Sequence, residues 1–149
     1  GIPQACIRPD GSIKVWTQAD GLASMKCRVS IKTTSGDYYI GTPKGLSIFH
    51  ADGSLRNLTK QDGLENEYIM WVYESDEREI WLGTDGGGVY VIKDEQILHH
   101  YTTEQGLSGN IIFKINTHNI TIIIFSSTYS SFSIIIITIP NINIIIANN

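Results

Sequence analysis

Aliphatic and aromatic residues fall in short runs along this chain, and polar or glycine-rich stretches interrupt them at regular intervals. In the best-defined region the runs are residues 68 to 74 (YIMWVYE), 79 to 83 (EIWLG), 89 to 93 (VYVIK) and 97 to 102 (ILHHYT), separated by SDER, TDGG and DEQ. Each run is rich in β-branched and aromatic residues and bounded by turn formers, which predicts a strand. None shows the apolar recurrence at i, i+3, i+4 and i+7 that an amphipathic helix needs. The connections are short enough for antiparallel neighbours, so the pattern predicts an all-β chain. Ile80, Trp81 and Leu82 run together without alternation, as expected of a strand covered on both faces.

The stretch EIWLGTDGGGVYV (79 to 91) raises the question of whether three glycines cradle a phosphate or reverse the chain. A phosphate loop needs Gly-Lys-Ser/Thr opening a helix, and a dinucleotide loop needs a helix after its glycines. Here strand formers follow, which favours a hairpin turn. A second copy supports the turn: Gly41-Thr42 in YYIGTPKGLSIF recurs as Gly83-Thr84, 42 residues on. The segments WTQADGL, LTKQDGL and YTTEQGL likewise place Gly-Leu at 21/22, 63/64 and 106/107, with periods of 42 and 43. The extra residue of the second interval falls in the triple-glycine turn, where an insertion does not flip a strand's side chains to the wrong face. Four strands repeating at about 40 to 50 residues are the mark of a β-propeller. The expected fold is an all-β propeller fragment of about three four-stranded antiparallel blades. Residues 1 to 149 divide into repeats at about 23–65, 65–108 and 108–149, and residues 1–22 supply the N-terminal strand of a preceding or shared blade.

The run of elements Gly-Leu, aliphatic strand, polar turn, aliphatic-Trp-aliphatic-Gly-Thr and Gly-Gly-aliphatic resembles the two-component-regulator propeller repeat. That repeat occurs in sensor domains of bacterial hybrid two-component sensor kinases and related signalling proteins. Residues 58 to 100 carry every element. Residues 16 to 50 carry most, with Tyr39 in place of the Trp and Pro43-Lys44 in place of a glycine step; the third copy matches through YTTEQGLSGNIIFKI (101 to 115). The resemblance implies a periplasmic or extracellular-face module whose occupancy is passed to a cytoplasmic kinase or similar output, with any membrane tether outside this chain.

After Lys114 the composition changes: residues 115 to 149 contain no Asp, Glu, Lys, Arg, Gly, Leu or Val. An offset of 43 sets IIFSSTYSSFSIII (123 to 136) against the strand-turn-strand of the second unit. This predicts strands near 120 to 125 and 132 to 138 with a turn around 127 to 131. A membrane span is the rival reading, but it needs about 20 nearly continuous apolar residues, and Ser126 to Ser131 and Pro140-Asn141 interrupt the run. The start, GIPQACIRPDGS, lacks the basic and apolar regions of a secretory leader.

A formal charge of −4 with scattered Lys and Arg argues against a nucleic-acid partner. Cys6 and Cys27 form no CxxC pattern, so a zinc site is not expected; a disulfide and two separate core thiols both remain open. His99 and His100 are adjacent in a strand and point to opposite faces, so they cannot share a metal. ESDERE (74 to 79) falls at a strand turn, where charge serves solvation, and loosely resembles an Asp-box turn. Trp81 reads as blade core and Trp71 as core or sugar platform. No catalytic arrangement emerges, and neither a cofactor nor a metal is expected.

The expected function is therefore a non-catalytic sensor module that binds a small molecule or oligosaccharide. Further blades or other chains would complete the ring, since propellers use about 4 to 8 blades. The alternatives are a propeller enzyme, a lyase or glycosidase with its acids in other blades, and a protein-interaction scaffold. In propellers the loops entering the innermost strands share a face with those joining the second and third strands. Ligand contacts are expected at residues 24 to 28, 65 to 68 and 108 to 110. The candidates are Lys26, Arg28, Lys44, Glu67, Tyr68, Trp71, Asp85 and Asn110. Gly21, Gly41, Gly63, Gly83, Gly88 and Gly106 are expected to be structural turns.

Overall fold

The structure, a computed structural model, describes residues 4–7, 13–107, 109–116, 121–126, 131–139 and 142–147, with side-chain surroundings for 17–107 and 109–112. A hairpin of β1 (Gln4–Ile7) and β2 (Ile13–Trp16) comes first, so the described part of residues 1 to 22 holds two strands. Three four-stranded sheets follow. The first contains β3 (Val29–Lys32), β4 (Tyr38–Thr42), β5 (Gly45–Phe49) and β6 (Leu55–Leu58). The second contains β7 (Ile69–Glu74), β8 (Ile80–Thr84), β9 (Val89–Lys93) and β10 (Gln96–Tyr101). The third contains β11 (Ile111–Asn116), β12 (Thr121–Ser126), β13 (Ser131–Ile139) and β14 (Ile142–Ala147). In every sheet the strands pair antiparallel in chain order. These are consecutive blades of a β-propeller: β7 packs against β3 and β4, and β11 packs against β7 and β8.

The strands after Lys114 form where the offset of 43 predicts them, with Ser126 opposite Ser131. The turn expected between them lies outside the described residues. Isoleucine and threonine suffice for the pairing because strand formation draws on β-branched side chains that suit a pleated surface.

The apolar runs become the core between the first and second blades. Tyr39, Leu46, Ile48 and Leu58 of the first blade and Leu64 of the following loop cluster with Ile69, Val72, Ile80, Leu82, Tyr90 and Ile92 of the second. Each fully buried aliphatic side chain contributes on the order of 1.5–3 kcal/mol. β5 and β8 are buried along their whole length, which explains why neither alternates in polarity.

Gly41 and Gly83 correct the sequence expectation. They lie inside β4 and β8 and have no positive φ, so neither is a turn residue. A Cβ on Gly83 would stand 2.7 Å from Ile112 Cγ2, and one on Gly41 would stand 2.7 Å from Ile69 Cγ2. Each glycine is the flat spot on which the innermost strand of the next blade rests.

The chain also contains helical turns that the strand pattern does not predict. One-turn 3-10 helices occupy Gln18–Asp20, Lys60–Asp62 and Thr103–Gln105. In each, a side chain at the third position accepts the backbone N–H of the preceding threonine, at 2.8 Å for Thr17, 2.9 Å for Thr59 and 2.8 Å for Thr102. Gly21, Gly63 and Gly106 then close the turn in the left-handed region at φ 99°, 102° and 104°. Leu22, Leu64 and Leu107 follow and are buried. Thr-x-x-Asp/Gln-Gly-Leu is thus a capping box, a left-handed stop and an apolar plug.

Candidate functional site

The entry loops and the loops between second and third strands meet on one face. Gly45 N–H donates to Glu67 O at 2.7 Å, Asp85 N–H to Tyr68 O at 3.0 Å, and Gly88 N–H to Asn110 O at 2.8 Å. The first and third bonds join the rim of a blade to the entry of the next, and the second ties the rim of the second blade to its own entry. The hairpin loops themselves are held by a buried threonine. Thr42 Oγ1 donates to Gly45 O at 2.8 Å, and Thr84 Oγ1 donates to Gly88 O at 2.7 Å. Gly88 takes a φ of 76° there, and a Cβ on it would collide with Tyr101 O.

On this face the guanidinium of Arg28 lies over the ring of Tyr68, 4.9 Å from its centroid. Arg28 comes from the loop entering the first blade and Tyr68 from the loop entering the second. Arg28 is exposed and anchored by its N–H to Gly41 O at 2.9 Å. Tyr68 is half-buried, and its N–H donates to Asn66 Oδ1 at 2.9 Å. A cation held over an aromatic face contributes about 0.5–1 kcal/mol at an exposed site. The pair presents an amphipathic surface, and the guanidinium donors take no hydrogen-bond acceptor among the described residues. Lys26, Lys44 and Asp85 are exposed on the same set of loops.

Two candidates serve the scaffold. Glu67 Oε1 accepts the N–H of Lys60 at 2.8 Å, and Asn110 Oδ1 accepts the N–H of Thr103 at 2.9 Å. One blade apart, they occupy the same station and secure the 3-10 turn beside it. Trp71 is half-buried on β7 opposite Gly83, away from the Arg28–Tyr68 pair in register. Trp81 is buried, stacks on Tyr101 with centroids 6.2 Å apart, and donates Nε1–H to Glu79 at 3.3 Å. Ser108 lies outside the described residues.

Sequence reasoning missed Asn66, which bridges the rim by donating Nδ2–H to Asp85 O at 2.8 Å while its Oδ1 holds Tyr68. The signal for it was an Asn two residues before the first apolar residue of a strand, a position suited to side-chain capping of a turn. His100 stacks on Tyr90 with centroids 3.9 Å apart and meets Gly87 O at 2.6 Å, while His99 stacks on Tyr101. Burial pushes the Tyr90 phenol above its ordinary pKa, and its oxygen accepts the N–H of Glu65 at 3.1 Å. Cys27 carries a free thiol whose pKa burial raises; the side chain of Cys6 lies outside the described surroundings.

The fold has a solved counterpart. The extracellular domain of a hybrid two component system from B. thetaiotaomicron superposes with a TM-score of 0.64 over 77% of this chain, at 20% identity. At that identity the likeness is one of fold. The chain spans 16% of the length of that counterpart. By sequence, no protein-family profile and no curated protein matches the chain. Among the described residues, no helix is long and apolar enough to cross a membrane.

Proposed function

We propose that the chain is the ligand-binding part of a bacterial sensor protein, non-catalytic in itself, that recognises a small molecule or oligosaccharide on its rim face. The observation that carries this reading is the Arg28–Tyr68 pair, built across two blades on the face where the turns repeat and the side chains do not. The entry loops read ASMKCR, ENEYIM and SGNIIF after a constant Gly-Leu. A constant scaffold with an individual rim is how a recognition surface is made on a repeat fold. A guanidinium held over an aromatic ring brings hydrogen-bond donors to this face, which suits a sugar, whose hydroxyls accept. The fold shared with the extracellular domain of a hybrid two component system supports a sensing role on the outer side of the membrane.

The test is calorimetric titration of the full protein with a panel of neutral and acidic oligosaccharides. Replacing Lys26, Arg28 or Tyr68 by alanine is expected to weaken the binding member about tenfold, equivalent to about 1.4 kcal/mol, while leaving the melting temperature nearly unchanged. Absence of binding across the panel, or rim variants that unfold or retain full affinity, would sink the reading.

A further inference from the structure

The first and second blades carry different side chains at one station, where the third strand faces the fourth beneath the rim. In the first blade Ser47 of β5 pairs in register with Asn57 of β6, and one repeat on, Tyr90 of β9 pairs with His100 of β10. Both stations catch a backbone N–H of their own entry loop. Ala23 N–H donates to Ser47 Oγ at 3.1 Å, and Glu65 N–H donates to the Tyr90 hydroxyl at 3.1 Å.

The fourth-strand partners then diverge. Ser47 Oγ donates to Asn57 Oδ1 at 2.7 Å, and Asn57 Nδ2–H reaches back to Gly21 O at 2.7 Å, so the first blade's pair secures the turn that precedes its entry loop. His100 instead lies flat on Tyr90, with centroids 3.9 Å apart and planes at 10°, and its Nε2 stands 2.6 Å from Gly87 O in the hairpin loop. A carbonyl only accepts, so Nε2 carries the proton. The longer pair of side chains accompanies the longer loop, since more residues join β8 to β9 than join β4 to β5.

The two loops of the second blade are also tied to each other. Asn66 Nδ2–H donates to Asp85 O at 2.8 Å, Asp85 N–H to Tyr68 O at 3.0 Å and Tyr68 N–H to Asn66 Oδ1 at 2.9 Å, which closes a ring of three bonds. A Cβ on Gly87 would collide with Asn66 Cβ, so this glycine lets the entry loop lie against the hairpin loop. Tyr90 is fully buried and cannot itself meet a ligand. Its hydroxyl holds one loop, and the histidine stacked on it holds the other.

We infer that Tyr90 and His100 are positioning residues, which anchor the entry and hairpin loops of the second blade to the sheet as one unit and so fix where Tyr68 and Asp85 stand on the rim. The inference rests on the reading of this face as the recognition surface. A loop already held in its binding conformation loses less freedom when a ligand orders it, so the anchoring strengthens binding without a contact to the ligand. Loss of either tether frees both loops, because the ring of bonds through Asn66 passes the motion from one to the other. The first blade has no such link at this station, its pair being tied to Gly21.

The test is amide hydrogen exchange, read by mass spectrometry, on the full protein carrying Tyr90→Phe or His100→Phe. The first variant keeps the ring and removes the hydroxyl; the second keeps the stack and removes the donor. Each should speed exchange about five- to tenfold, the effect of losing one hydrogen bond, in residues 64–68 and 85–88 alike. Residues 80–82 of the buried β8 should exchange as in the parent and so report that the blade is folded. His100→Gln, whose amide can donate to Gly87 O, should keep exchange slow. A member of the oligosaccharide panel that binds the parent should bind both phenylalanine variants about fivefold more weakly. If no member binds the parent, the recognition reading fails, and exchange alone still decides whether the pair holds the loops. Unchanged exchange, acceleration confined to the one loop that each residue touches, or full affinity in both variants despite faster exchange would overturn the inference.

Discussion

At Gly83 the backbone of β8 leaves room for a hydrogen atom and little more, because Ile112 of the next blade closes over it at 2.7 Å from where a Cβ would stand. Gly83→Ala should therefore destabilise the protein by about 1–3 kcal/mol through overpacking. Ile112 is fully buried, so Ile112→Ala should cost about 2–5 kcal/mol by leaving a cavity. The double variant should cost less than the two together, since the alanine at 112 removes the methyl that the new Cβ meets. Urea melts of all four proteins measure this, and strict additivity would show that the two residues do not meet as described. The recurrence of Gly-Thr was legible in the sequence; its reason was not. A repeated glycine suggests a turn, whereas packing against a residue 29 positions on becomes visible only when the blades are in contact.

The hairpin between second and third strands shows how an element tolerates a change of length. The first blade joins β4 to β5 with two residues and the second joins β8 to β9 with more, yet the same buried threonine holds both. Thr42 Oγ1 accepts from Lys44 N–H at 3.1 Å, and Thr84 Oγ1 accepts from Gly87 N–H at 3.0 Å. Each hydroxyl donates across the neck of the loop as well. Thr84→Val keeps the shape and removes both bonds, so it should lower stability by about 1–3 kcal/mol without altering the far-ultraviolet circular dichroism spectrum. A variant as stable as the parent would show the hydroxyl to be idle. The strands, their order and the site of the insertion were readable because each depends on residues within one turn or one strand. The 3-10 turns were readable too, from Thr-x-x-Asp/Gln followed by Gly. Attention to strand periodicity passed over them because one helical turn is too short to show a period.

For the whole molecule, blades gain stability chiefly from their neighbours, since each sheet has two faces to cover. The 149-residue chain prepared by itself is expected to associate or aggregate through sheet faces and edges that lack a neighbour. Light scattering with a parallel thermal melt tests this: a cooperative transition from a strictly monomeric species would contradict it. Of the eight rim candidates, two pair across blades and two are held within their own loops. Arg28 and Tyr68 converge, but Glu67 and Asn110 are engaged in securing the 3-10 turns.

The sequence by itself determined the repeat, its period of 42 and 43, the all-β character and the turn chemistry, because these are local properties written within a few residues and copied along the chain. Tertiary structure alone decided which side chains share a site. Thr34 meets Glu74 across 40 residues, and Arg56 meets Glu95 across 39. Residues about one period apart have no local relation that a pattern could reveal. They come together only when one blade packs on the next, and that packing sets Arg28 on Tyr68 on one face and brings Asp37 and Glu74 to one cleft on the other.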